Sequence, residues 1–402
     1  MTTRAEPIGG PLDTPLTRML AGLFGLAMLA IAWRLIAGLG ATTALNDGYP
    51  LGLWIAFDVV TGTALACGGY AIALLVYILN KGRYHPLVRP AMLTSALGYS
   101  LAGVGVLLDV GRWWLIWKVP VYFWHWNFNS ALLEIALCIM SYVVVLWIEL
   151  SPALLETFVD STILPLRRVA RRLPPVIERA SLFIIALGLL LPTMHQSSLG
   201  TLMLLAGSRL HPLWRTPLLP LLFLITCLSM GFAVVVFESA FSSVAFKRRP
   251  ETQMLARLAT AIVPLQLAVV VLRLADLWWR GSLEPLLAGD ARSALALVEF
   301  ALFLAPIAML WPAAGRRDLG RLVGAAIVMM FAGALYRFDT YLVAFTPGEH
   351  WSYFPSMAEM TITVGLVASE VLAYIVIVKR FPILSGRSGS PMAEREKPAA
   401  ES

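Results

Sequence analysis

Residues 216–245 read TPLLPLLFLITCLSMGFAVVVFESAFSSVA, a run in which Glu238 is the only charged side chain. A helix rises about 1.5 Å per residue, so roughly 20 apolar residues cross the hydrocarbon core of a bilayer. This run is long enough to span with some tilt, and it stops at Lys247-Arg248-Arg249, cations that suit a membrane surface. To either side of it, nine further apolar blocks follow the same rule, at approximately 17–40, 50–80, 88–110, 127–149, 179–206, 256–280, 291–312, 319–343 and 355–380. The first is too long for the apolar region of a signal peptide and is interrupted by Arg34, so it reads as a retained helix despite the small residues Ala41–Ala44 beyond it. The pattern predicts an all-α integral membrane protein of about ten transmembrane helices.

Composition agrees. Hydrophobic residues make up 59% of the chain and charged residues 14%, against about 25% charged in an average soluble protein. A soluble enzyme, a disordered chain and a nucleic-acid binder are excluded, and the lipid bilayer is the first partner. The net charge of +7 follows topology. Ten spans put both termini on one side. Of the 31 Lys and Arg, 22 fall in segments on that side, 6 on the other, and Arg34, Arg273 and Arg337 inside spans. By the positive-inside rule both termini are cytoplasmic. The chain then divides into a cytoplasmic segment 1–16, a membrane domain 17–380 and a cytoplasmic tail 381–402 whose Ser, Gly, Pro and charge content predicts disorder. The loop 150–178, with Arg167, Arg168, Arg171 and Arg172 beside Leu164, Leu166 and Val169, predicts a segment lying on the membrane surface. On the opposite side, Arg112–Phe128 is dense in Trp and Tyr, as an interfacial belt or a docking surface would be.

A charge at membrane depth costs about 2.5–3.5 kcal/mol on insertion scales, so such residues have a partner or a task. Asp58 lies in the second block and Glu134 in the fourth, where Asn127, Ser130 and Glu134 share a helical face. Tyr99 and Asp109 share a face of the third. Asp58, Glu134 and Tyr99 are expected to converge on one pocket, with Gly62/Ala66 and Gly98/Ala102 allowing close helix contact. Pro192 removes a backbone hydrogen bond in the fifth block just before Thr193-Met194-His195-Gln196-Ser197-Ser198, which predicts a broken helix lining a cavity. Arg273 and Asp276 are placed for a local ion pair. Glu238 has no sequence-local partner and is a candidate proton entry near the cytoplasmic side.

Cys67, Cys138 and Cys227 stand alone in apolar runs, so no metal site and no iron–sulfur cluster is expected within the chain. Only His195 is in mid-span. His85, His125, His211 and His350 fall in loops or at span ends, leaving His125 and His350 as the one remaining pair near the outer surface. On this count no haem is expected in the membrane core.

Several segments carry a family resemblance: DGYPLGLWIAFD (47–58), YHPLVRPAMLTSALGYS (84–100), DVGRWW (109–114), FNSALLE (128–134), HQSSLGTLML (195–204) and YFPSMAEM (353–360). In this order they resemble the integral membrane subunit of NiFe uptake hydrogenases, the HybB type, within the NrfD-like or polysulfide-reductase membrane-subunit family. The resemblance covers nearly the whole chain. It implies a subunit of the bacterial inner membrane that reacts with quinone (menaquinone or ubiquinone). Electrons would come from a periplasmic ferredoxin-like iron–sulfur subunit, fed by NiFe hydrogenase large and small subunits. It also implies a quinone pocket in the first helical bundle near the periplasmic surface, with Asp58, Tyr99, Asp109, Arg112, Glu134 and His195 as matching positions. On this reading Tyr99 and His195 hold the quinone carbonyls, while Asp58, Glu134 and Glu238 relay protons. A secondary transporter or proton channel is the alternative, because buried acids and a broken helix suit it equally. A passive anchor gains nothing from so many acids in its spans.

Overall fold

The computed structural model of the chain describes residues 5–246, 252–311 and 318–384. The tail expected to be disordered falls mostly beyond them, as do the basic runs at 247–249 and 316–317. Among the described residues ten helices are long and apolar enough to cross a membrane: α1 (Pro15–Ala37), α2 (Trp54–Ile78), α3 (Gly82–Asp109), α4 (Ala131–Phe158), α5 (Ser181–Leu204), α6 (Leu219–Ala245), α7 (Thr252–Trp279), α8 (Ala291–Leu310), α9 (Leu319–Val343) and α10 (Met357–Arg380). Among the described residues there is no strand, only an isolated bridge between Leu210 and Phe345. Alternation of direction puts the two terminal segments at one end, called proximal here. Backbone bonds from Glu6 to Leu384 and from Ile8 to Val378 join them there.

Helices α2–α5 pack as one bundle and α6–α9 as a second, while α1 pairs with α10 along the flank of the first. The two bundles meet where α2 crosses α6. These are the most buried spans, with 78% and 72% of their apolar windows inside the protein against 17% for α1. Small residues make that crossing possible. A Cβ at Gly231 would lie 2.5 Å from the Cys67 carbonyl oxygen and one at Gly68 would lie 3.1 Å from Val235 Cγ2; within the first bundle, one at Gly98 of α3 would lie 2.6 Å from the Ala66 Cβ. Lipid tails are as apolar as the side chains they meet, so close backbone approach of this kind supplies the packing energy.

Backbone irregularity falls elsewhere than expected. Helix α5 runs unbroken from Ser181 to Leu204 through Pro192. The wide π-helical turns occur instead at Trp54–Thr61 and Leu74–Ile78 of α2 and at Asp339–Val343 of α9. A π turn inserts an extra residue and re-aims the side chains around it, and two of these turns contain buried acids, Asp58 and Asp339.

Candidate functional site

Two polar groups lie in and beside the first bundle. The deeper one joins α2, α3 and α5. His195 Nε2 lies 3.3 Å from Thr63 Oγ1, and the Gln196 amide donates to Thr63 Oγ1 at 3.0 Å and to the Tyr99 hydroxyl at 3.3 Å. Tyr99 also lies 3.6 Å from the Cys67 thiol and packs edge-on against Tyr142 and His195. Tyr99, His195 and Gln196 are completely buried, and Gln196 Oε1 has no hydrogen-bond partner among the described residues. A buried amide oxygen left unpaired costs about 1–3 kcal/mol. It is an acceptor that no protein donor satisfies among the described residues.

The second group is a ladder on α10. Glu359, Thr363, Glu370 and Tyr374 follow one another at spacings of four, seven and four residues, which keeps them on one helical face over about 22 Å. At the distal end Glu359 closes a capping box with Ser356 and accepts from the Ala44 amide (2.9 Å) and the Tyr353 hydroxyl (2.6 Å). Burial holds the Tyr353 phenol above its ordinary value, so it serves as a donor. Thr363 donates to Asp58 Oδ2 at 2.9 Å. Glu370 follows on the same face, and Gly98 makes room for it: a Cβ there would lie 3.2 Å from Glu370 Oε1. At the proximal end Tyr374 and Thr94 donate to the two oxygens of Glu238, at 2.6 and 2.9 Å. Four carboxyls from α2, α6 and α10 thus run from the distal loops to within three turns of the proximal end of α6.

The ladder includes Asp58 and Glu238 from the sequence reading and adds Glu359 and Glu370, whose common face shows in the spacing but whose partners do not. Tyr99 and His195 meet in the deeper group. Asp109 lies about 15 Å along α3 from Tyr99, next to Arg34, whose guanidinium donates to the carbonyls of Leu108 and Val110. Asp109 Oδ1 and the indole nitrogens of Trp54 and Trp113 are buried without partners among the described residues, a second unpaired polar patch near the distal surface. Arg112 is exposed just beyond it. The expected convergence of Glu134 with Asp58 does not occur. Glu134 sits half-buried in the first turn of α4, above the Ser130 cap, while the hydroxyl on Asp58 comes from α10. The one-face pattern on α4 gave no information about which neighbour that face meets.

The second bundle holds its own charges. Arg273 pairs with Glu299 of α8 at 2.7 Å, not with Asp276, which pairs with Arg280 at 2.6 Å. Trp214 donates to Glu299 at 3.0 Å, Asp339 lies beside Glu299, and the Arg273 guanidinium stacks over Phe300 and Tyr336. Arg337 donates through its terminal nitrogens to the carbonyls of Val60 and Phe223 and to the Thr226 hydroxyl, while its buried Nε has no partner among the described residues.

Among the described residues, ten apolar helices, eight in two bundles and two along the flank of the first, with acids on α2, α6 and α10, define a multi-pass integral membrane protein. Residues 42–345 match the family model for the polysulphide reductase membrane protein NrfD, and the chain belongs to that family. It is 41% identical over 389 residues to a protein of Escherichia coli (strain K12) named probable Ni/Fe-hydrogenase 2 b-type cytochrome subunit, covering 96% of each chain. It is 35% identical over 178 residues to a menaquinone reductase integral membrane subunit of Nitratidesulfovibrio vulgaris, covering 44% of this chain and 40% of that one. A selenate reductase subunit from Mesobacillus selenatarsenatis is 21% identical over 380 residues, covering 85% of this chain and 88% of that one. By their names these relatives are subunits of a hydrogenase, a menaquinone reductase and a selenate reductase.

The E. coli relative corrects the expectation of a chain without haem, because a b-type cytochrome subunit implies haem. Counting histidines tests only for a bis-histidine haem within one chain. Haem iron also accepts thiolate, thioether or phenolate ligands. The described residues do not present a facing histidine pair inside the bundle, so they do not fit a bis-histidine haem there. His195 is buried against Thr63 and Tyr99, whereas His85, His125, His211 and His350 lie in loops or short turns at span ends.

Proposed function

We propose that this chain is the quinone-reactive membrane subunit of a respiratory oxidoreductase complex in the bacterial inner membrane. The observation that carries the reading is the carboxyl ladder Glu359–Asp58–Glu370–Glu238, running beside the unpaired polar atoms of the first bundle. The names of the relatives support hydrogenase and menaquinone chemistry. A bound quinone supplies a two-electron, two-proton acceptor. The chain's residues supply position and protons. Gln196 and His195 on α5, with Tyr99 on α3, are the polar groups able to hold a quinone oxygen deep in the bundle. The patch of Trp54, Trp113 and Asp109 offers two indole donors and a carboxyl acceptor nearer the surface.

The excess of basic residues on the terminal side supports cytoplasmic termini, so the distal end faces the periplasm. A ferredoxin-like iron–sulfur subunit docks there on the aromatic loop Arg112–Phe128, where Trp117, Phe123 and Trp124 are exposed. NiFe hydrogenase large and small subunits feed it. Glu238 takes protons from the cytoplasmic side, and Glu370 and Asp58 pass them outward. Each proton drawn across the full membrane in this way involves about 2.3 kcal/mol per 100 mV.

Quinone titration of the purified, assembled complex tests the reading. Saturable quinone reduction at a site in this chain is the expected result. A complex that reduces a soluble dye but never a quinone, while proteoliposomes of the chain alone conduct protons, would replace it with a proton channel.

A further inference from the structure

We propose that the helix Leu164–Arg179, between α4 and α5, is a binding site for anionic phospholipid. Three kinds of surface follow one another around this helix. Leu166, Ala170 and Ile177 form the flank turned to the protein, with Ala170 buried against the bundle. Beside it, Val169, Leu173 and Val176 form a strip that is 47%, 38% and 57% exposed. Beyond that strip, Arg168, Arg172 and Arg179 form an exposed edge. None of these three arginines has an ion pair or hydrogen bond among the described residues. Arg171, by contrast, is tied to the Val159 carbonyl and to Asp160.

The order of these surfaces matters more than their presence. An interfacial helix needs apolar side chains over the acyl region and cations where the phosphates lie. Here the exposed apolar strip is bordered by protein on one side and by free guanidinium groups on the other. The helix also lies at the proximal end of the ten spans. Immediately after it, α5 begins with Leu182 and Phe183, which are 82% and 67% exposed and continue the apolar surface into the span. Position and charge therefore select a lipid with a negatively charged headgroup. Guanidinium forks match phosphate oxygens in two-point hydrogen bonds. A soluble acidic partner would meet the arginine edge but leave the Val169–Val176 strip uncovered.

The test uses the full chain in proteoliposomes of phosphatidylcholine with or without phosphatidylglycerol. Leu173→Cys is labelled with an environment-sensitive fluorophore. The three native cysteines are buried, which directs the label to this site. The expected result is blue-shifted emission that grows with the anionic lipid fraction. Native mass spectrometry of the detergent-extracted wild-type chain should then show phosphatidylglycerol retained over phosphatidylcholine. Each basic residue near an anionic surface contributes about fivefold, so Arg168→Gln/Arg172→Gln/Arg179→Gln should lower retention by roughly 100-fold. Val169→Asn/Val176→Asn, which keeps the charges, should abolish the blue shift. Equal retention of both lipids, unchanged retention in the triple variant, or displacement of the lipid by inorganic phosphate at equal concentration would each overturn the proposal.

Discussion

Asp58→Asn is the sharpest probe of the carboxyl ladder. Asn fills the same volume and its amide oxygen still accepts from the Thr363 hydroxyl that now bonds Asp58 at 2.9 Å, so the bundle should assemble normally. What disappears is the proton-carrying site. Along α10, Glu359 and Thr363 are about 6 Å apart and Thr363 and Glu370 about 10 Å. Removing the rung opposite Thr363 widens the longest step between successive carboxyls along α10 from about 10 Å to about 16 Å. Positioned proton transfer contributes about 10²–10⁴-fold to rate. Quinone-linked turnover should therefore fall at least 100-fold, while the same complex reduces a soluble dye at the wild-type rate. The assay is quinone reduction by the assembled complex in proteoliposomes, with subunit content checked by gel. Turnover within threefold of wild type in a fully assembled Asp58→Asn complex would refute the ladder as the proton route.

Gly98→Ala should lower stability by about 1–3 kcal/mol, the usual cost of overpacking, and slow turnover, because the new methyl meets Ala66 and crowds Glu370. Thermal aggregation of the detergent-solubilised chain reads the first effect. Arg273→Met should cost about 3–5 kcal/mol, since it strands the fully buried Glu299 carboxylate. Most of that loss should return in Arg273→Met/Glu299→Gln by the same assay. Glu134→Gln should change quinone turnover less than tenfold, because Glu134 is half-buried at the start of α4 with its Asp58-facing role taken by Thr363. A collapse there would restore α4 to the proton route. A photocrosslinker at Trp117 or Tyr122 should capture the iron–sulfur subunit. Crosslinks formed only from residues 150–178 would reverse the orientation.

The ten spans are written in the linear chain, because hydrophobic length is a local property and a bilayer leaves the backbone few alternatives to a helix. The same linear reasoning found Asp58, Tyr99, His195 and Glu238 as costly groups in apolar runs. It also contained the spacing of Glu359, Thr363, Glu370 and Tyr374, a stripe legible once α10 is drawn as a helix. Partnership was not legible. Asp58 meets Thr363, which is 305 residues away in the chain, and Arg273 passes over the nearby Asp276 to reach Glu299. In both cases helix packing chooses the partner. Rotation of each span about its axis is set by contacts such as Gly98 on Ala66 and Gly231 on Cys67, which depend on two remote segments at once. The π-helical turns of α2 and α9 belong to the same class. They re-aim Asp58 and Asp339, whereas Pro192, the strongest local signal for a break, sits in a helix that neighbouring spans keep whole.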